Sequence, residues 1–210
     1  MNATRRLVIS ILTVSLFGLF SISAAVSAQM TPPDEVVKTT IQSALQQLEE
    51  RRDELSKDNQ KLYAAVEQVL QPAIHFERFS KLVLGKHWRK ATADQKKEFV
   101  AQFKKSLLKT YATAIFEYSG ETINYIPLEY KGGDRVKVKT EFVTKSGSVV
   151  PVIYSMSNKD DDRWRVYDIK IITPETSTSL VQLYRSQYNS LIESKGLDGL
   201  ISDLQKKNDV

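Results

Sequence analysis

"DRVKVKTEFVTKSGSVVPVIYSMSNKDDDRWRVYDIKII", residues 134–172, decides the fold. In its first run Val136, Val138, Thr140 and Phe142 fall on one side while Lys137, Lys139 and Glu141 fall on the other. A period of two is the mark of a half-buried strand. The second run aligns Val150, Val152, Tyr154 and Met156 against Val149, Pro151 and Ile153. The third aligns Tyr167, Ile169 and Ile171 against Trp164, Val166 and Asp168. "KSG" and "NKDDD" between the runs are turn compositions, and connections this short force neighbouring strands to run antiparallel. Upstream, "ETINYIPLEY" (121–130) joined through "KGGD" predicts one more strand. The expectation is a four-stranded antiparallel meander with one apolar face, which helices must cover.

Helical spacing flanks the meander on both sides. Residues 33–55 carry Val36, Val37, Thr40, Ile41, Ala44, Leu45 and Leu48 three and four apart, with proline at the start, and predict one long amphipathic helix. Asp58 is placed to cap a second helix through Leu70, which Pro72 closes. A short helix is expected at 76–84. Thr92-Ala93-Asp94-Gln95 has the form of a capping box. The helix it opens runs through Phe99, Phe103, Leu107, Leu108, Tyr111, Ala112 and Ile115 to about Tyr118, before Gly120. Its lysines, Lys96, Lys97, Lys104, Lys105 and Lys109, read as a solvated face first and a docking patch second. After "TPETSTS" a helix resumes at Leu180 and stops at Lys195-Gly196, and "LDGLISDLQKK" forms a last short one. Helices, then a meander, then helices make an α+β domain.

The first 28 residues predict a compartment. Arg5 and Arg6 precede an apolar run from Leu7 to about Ile22, followed by Val26-Ser27-Ala28. A basic start, a short apolar stretch and a small-x-small site read as a secretory signal peptide cleaved after Ala28, the apolar run being short of the ~20 residues a membrane span needs. The expected mature chain, 29–210, is a single domain. It has no cysteine, so neither a disulfide nor a lipid anchor on cysteine is expected. From residue 29 on, 28 basic face 25 acidic side chains. That mild, interspersed excess suits approach to anionic surfaces and gives little support to nucleic-acid binding.

Covalent chemistry finds little footing. The serine-elbow pattern G-x-S-x-G is absent. His75 and His87 stand twelve apart with no metal-binding spacing around either. Asp160-Asp161-Asp162 lacks the alternating ligands of a calcium loop and reads as a solvated hairpin tip. Gly132-Gly133 reads as a turn rather than a phosphate cradle. The residues therefore point to a binding protein, with no catalytic residue, metal or cofactor expected.

Four blocks sharpen this: "LVLGKHWRKATADQKKEFVAQFKKSLLKTYATAI" (82–115), "VKVKTEFVTKSGSVVPVIYSM" (136–156), "WRVYDI" (164–169) and "LVQLYRSQYNSLIESKGLDGLISDL" (180–204). In this order, over about 69–204, they resemble the MlaC family, also called the toluene-tolerance Ttg2D family. The chain departs from the pattern after "VYD": where the family runs on as V-x-x-E-G-V-S, this chain has "IKIITPETSTSL", a longer connection without the glycine.

The resemblance implies an NTF2-like α+β fold in which helices and a curved sheet enclose an apolar cavity. It further implies a periplasmic phospholipid shuttle between an outer-membrane lipoprotein–porin complex and an inner-membrane ABC transporter carrying an MCE-domain protein, maintaining outer-membrane lipid asymmetry. Two acyl chains at ~0.8 kcal/mol per CH₂ cost on the order of 20 kcal/mol to expose to water, so such a carrier must enclose them. Lipid contacts are then expected from Leu82 and Val83, from Leu107, Tyr111 and Ile115, from Val138 and Phe142, from Val152, Tyr154 and Met156, from Tyr167 and Ile169, and from Leu180 and Tyr184. Apolar stripes are ordinarily core, so about half of these are expected to touch lipid. His87 and Trp88 read as packing and helix-entry residues. Two other readings stay open: an enzyme built on the same cup, and a transporter-associated binding protein for another apolar ligand, such as a hopanoid or an organic solvent.

Overall fold

The computed structural model describes residues 30–117, 120, 122–174 and 176–209. The expected signal peptide and its cleavage point lie outside the described residues.

Helix α1 (Pro33–Glu50) starts with proline at its first turn and Asp34 and Glu35 near its positive end. It breaks at Arg51, and a single turn, α2 (Arg52–Leu55), follows, so the one long helix expected over 33–55 is two pieces. Helix α3 (Asn59–Leu70) is capped by Asp58, which accepts from the N–H groups of Gln60 and Lys61. Helix α4 (Phe76–Leu84) ends at Gly85 and passes into a 3₁₀ turn, Gly85–Arg89. Helix α5 (Ala93–Phe116) begins with the expected capping box: Thr92 Oγ1 accepts from the Gln95 N–H at 3.1 Å, and Gln95 Oε1 from the Thr92 N–H at 3.0 Å.

The sheet follows in the order β1 (Thr122–Tyr125), β2 (Arg135–Val143), β3 (Val149–Ser157), β4 (Arg165–Ile171), all pairs antiparallel. Strand β1 is shorter than its sequence suggested. Ile126 still donates to the Lys139 carbonyl at 3.2 Å, but Pro127 has no N–H with which to continue the ladder. One register shift matters: Ser155 pairs with Asp168 and Met156 with Val166, leaving Tyr167 as an extra residue in β4. The bulge reverses the alternation expected for the third run. Trp164 and Val166 turn inward, 4% and 5% exposed, while Tyr167 packs beneath the Arg78 guanidinium at 4.6 Å.

Helix α6 (Leu180–Asp209) is two helical pieces meeting at Gly196, whose φ of 73° and ψ of 173° are not helical. The stop expected there is a kink.

Three apolar clusters hold the layers together. The largest joins α4, the 3₁₀ turn, α5 and α6 around Phe103. Its ring lies 5.6 Å from Phe99, 5.5 Å from Phe79 and 5.2 Å from Tyr184. A second joins α1, α2, α3 and α5 through Leu48, Leu55, Leu62 and Leu108. A third fills one end of the sheet, where Val37 of α1 meets Val138, Met156, Trp164 and Val166. Trp88 belongs to the first cluster at 9% exposed, and His87 Nε2 lies 3.0 Å from Asn189 Oδ1 on α6. Both tie the helix entry to its neighbour.

The aspartates of the β3–β4 turn do more than face water. Asp160 Oδ2 lies 3.1 Å from His75 Nε2 and 3.2 Å from an Arg78 guanidinium nitrogen, and Asp161 pairs with Arg163 and Arg165. Asp160 fastens the hairpin to the start of α4, and Asp161 ties the hairpin to itself. The α5 lysines are likewise engaged: Lys104 meets Glu67 at 2.6 Å, Lys105 meets Asp209 at 3.2 Å, and Lys109 donates to the Asn208 carbonyl at 2.6 Å. Among the described residues no helix is long and apolar enough to cross a membrane.

Candidate functional site

Between the three clusters a cavity of about 410 Å³ is left. The sheet supplies one wall. Antiparallel register sets Phe142 beside Val150, Val152 beside Ile171 and Tyr154 beside Ile169, and their shared side of the pleat faces inward. Helix α5 supplies another with Leu107, Leu108, Tyr111, Ala112 and Ile115, which three-and-four spacing places on one face. Helix α1 closes the space with Thr40, Ile41, Ala44 and Leu45, and Val66, Leu70, Ile74, Phe76, Phe79 and Leu180 complete it. The small side chains Ala44 and Ala112 reach the wall from facing helices and leave volume that larger residues would have filled.

The cavity has an inner and an outer end. Val66, Phe79, Leu108, Ala112 and Val152 are buried, whereas Ile115, Ile123, Phe142, Val150 and Ile171 are only half-buried. These five lie toward one end of the strands, opposite the end filled around Trp164. A groove of about 640 Å³ adjoins there, lined by Leu45, Leu48, Glu49, Arg52, Ile115, Phe116 and Gly120, and shares Leu45 and Ile115 with the cavity.

Polar atoms within are few. The Thr140 and Tyr154 hydroxyls lie 3.3 Å apart, and burial pushes the Tyr154 phenol up to about 12. In the adjoining aromatic cluster burial, with Tyr111 beside it, also raises the Tyr184 phenol well above its ordinary value. These hydroxyls keep their protons at any physiological pH. Among the described residues the lining contains no carboxylate, imidazole or amine, and no cluster of His, Asp or Glu is placed to hold a metal ion. The arrangement is an apolar enclosure whose polar lining groups are hydroxyls.

Of the residues singled out from sequence, Leu107, Tyr111, Ile115, Phe142, Val152, Tyr154, Ile169 and Leu180 line the cavity. Val83 and Tyr184 sit instead within the aromatic cluster, with Leu82 packed against it. Val138 and Met156 lie at the filled end of the sheet, and Tyr167 stands in the bulge. Arg185, next to Tyr184, donates through Nε to the Leu82 carbonyl at 2.8 Å and closes the end of α4. The α1 and α3 wall was missed. The helical stripe of α1 was legible, but nothing in it says which member faces a void rather than a neighbour.

The model of the MlaC protein family matches residues 38–206 of this chain. The toluene tolerance protein ttg2D of Pseudomonas putida is 27% identical over 191 residues, covering 90% of this chain and 86% of that one. The intermembrane phospholipid transport system binding protein MlaC of Haemophilus influenzae is 22% identical over 182 residues, covering 84% and 82%. Among solved structures, a phospholipid-binding protein from Ralstonia solanacearum, in complex with a phospholipid, superposes with a TM-score of 0.76 at 26% identity, covering 85% of this chain and 98% of its own.

Proposed function

The chain belongs to the MlaC family, and from that premise we propose that it is a noncatalytic carrier of glycerophospholipid, taking acyl chains into the cavity between α1, α5 and the sheet. One observation carries this. Were it sealed and empty, a void of about 410 Å³, at roughly 24 cal/mol per Å³, would cost up to the order of 10 kcal/mol. That is comparable to the whole net stability of a domain. A fold that retains such a space is built to have it occupied, and an apolar lining selects an apolar occupant. The similar Ralstonia protein in complex with a phospholipid supports the identity of that occupant.

The volume also bears on how the lipid is held. Taking a methylene to need about the volume of a water molecule, roughly 30 Å³, the cavity accommodates about a dozen such groups, close to one acyl chain. A second tail would need the adjoining groove or an outward shift of α1. A lipid entering tail first would leave its headgroup at the outer end near Arg52. On this reading residues 1–28 are a signal peptide and 29–210 a single periplasmic domain. It would exchange lipid with an inner-membrane ABC transporter bearing an MCE-domain protein and with an outer-membrane lipoprotein–porin complex.

Mass spectrometry of the purified protein, native and after solvent extraction, tests the proposal. Stoichiometric glycerophospholipid is expected. Protein free of lipid sinks the carrier reading, and a different apolar molecule in the cavity moves it to the alternative ligand class.

A further inference from the structure

The side of the sheet turned away from the cavity has a composition that the carrier function leaves unexplained. The pleat that sends Phe142, Val152 and Ile169 inward sends Lys137, Lys139, Ile153 and Lys170 outward. Ile153 pairs with Lys139 on one side and with Lys170 on the other, so two lysines flank an isoleucine across three strands. Lys139 is tied to Glu141 at 2.8 Å, and Asp168 accepts from the Val181 N–H at 3.0 Å at the start of α6. Among the described residues Arg135, Lys137, Lys145 and Lys170 have no ion pair, in contrast to Lys104 and Lys105 on α5. The face and its hairpin thus gather a basic surplus comparable to that of the whole chain beyond residue 28.

This basic strip reaches the outer end of the cavity. Lys170 precedes the lining residue Ile171. The hairpin that carries Lys145 ends at Val149, 52% exposed, immediately before the lining residue Val150. An exposed aliphatic residue beside unpaired lysines at an apolar opening is the composition of a surface that rests on anionic headgroups.

We propose that the outer face of the sheet and the hairpin at 144–149 dock the protein on an anionic phospholipid bilayer, with the cavity opening held against the headgroup layer. The inference rests on the carrier reading for the direction in which the opening must face. A lipid leaving the cavity then passes into headgroups and acyl chains without its tails crossing open water. Each lysine close to an anionic surface raises the binding constant roughly fivefold, so a few of them give reversible docking.

Flotation of the purified protein with vesicles of phosphatidylcholine, alone or mixed with phosphatidylglycerol, tests this. Binding is expected with the mixed vesicles only, weakening as ionic strength rises. The combined substitution Lys137→Gln, Lys145→Gln, Lys170→Gln should reduce it on the order of 100-fold, with the protein folded by circular dichroism and its bound phospholipid retained. Lys57→Gln, Lys97→Gln, Lys207→Gln removes the same charge from exposed positions outside the sheet and should leave binding unchanged. Three results would overturn the proposal: no flotation with anionic vesicles, equal loss in both triple variants, or a dimer in solution that the first triple variant splits. A protein that floats but carries no phospholipid would instead remove the carrier reading while leaving the surface assignment standing.

Discussion

Gly85 holds a backbone conformation that a side chain resists, with φ of 52° and ψ of −117°, and a Cβ there would meet Arg185 Nε at 3.4 Å. Positive φ costs a non-glycine residue about 1–2 kcal/mol, so Gly85→Ala should lower the unfolding free energy by at least that much, read as a shift in denaturant midpoint at constant slope. His75 makes a second prediction. Its Nδ1 accepts from the Arg78 N–H at 3.4 Å while Nε2 meets Asp160, an arrangement that suits the neutral ring with its proton on Nε2. Burial first, and Arg165 second, hold its pKa below the ordinary 6.5. The unfolded chain therefore binds a proton that the fold declines, so this contribution is fully present above about pH 6.5 and is lost as pH falls from there toward the folded value. His75→Asn keeps a capping acceptor and removes the titration. Chemical denaturation at a series of pH values should show a flatter acid limb for the variant.

The elements that meet at the cavity respond oppositely to changes in volume. Phe103 is fully buried and touches four rings, so Phe103→Ala should cost about 3–5 kcal/mol. Val152 faces the void from β3, where added volume has somewhere to go. Val152→Trp should escape the ~1–3 kcal/mol penalty of an overpacked core and yet displace phospholipid, seen by mass spectrometry as protein that is folded and empty. An intact lipid complement in that variant would argue that the tails lie elsewhere. Elements were also the scale at which sequence was most legible. Asp58 and Thr92 cap the helices they were expected to cap, because a cap is a local hydrogen bond between near neighbours. In the third run of the meander Ile169 and Ile171 face inward as their alternation implies, but Trp164 and Val166 do so as well, because one extra residue at Tyr167 reverses a period of two and leaves no mark in composition.

At the scale of the whole molecule, cargo and stability are linked. A ligand that binds only the folded state stabilises it by RT ln(1 + [L]/Kd). Removing lipid from the purified protein should lower Tm by roughly 2–4 °C for each kcal/mol of linkage lost. Adding phospholipid back should restore it, and a scanning calorimeter reads both steps. If Tm does not respond to lipid, the cavity is filled by something other than cargo, such as water or a collapsed α1.

The sequence by itself determined the alternation that makes a sheet, the caps and turns that bound the elements, and the blocks that mark the family, since each depends on residues within a few positions of one another. Only the tertiary structure decided that Val83, Tyr184, Val138 and Met156 pack solidly while Val152, Tyr154 and Tyr111 border open space. A void is a deficit in the summed volumes of side chains from every layer. No single helix or strand carries a record of what its neighbours fail to fill.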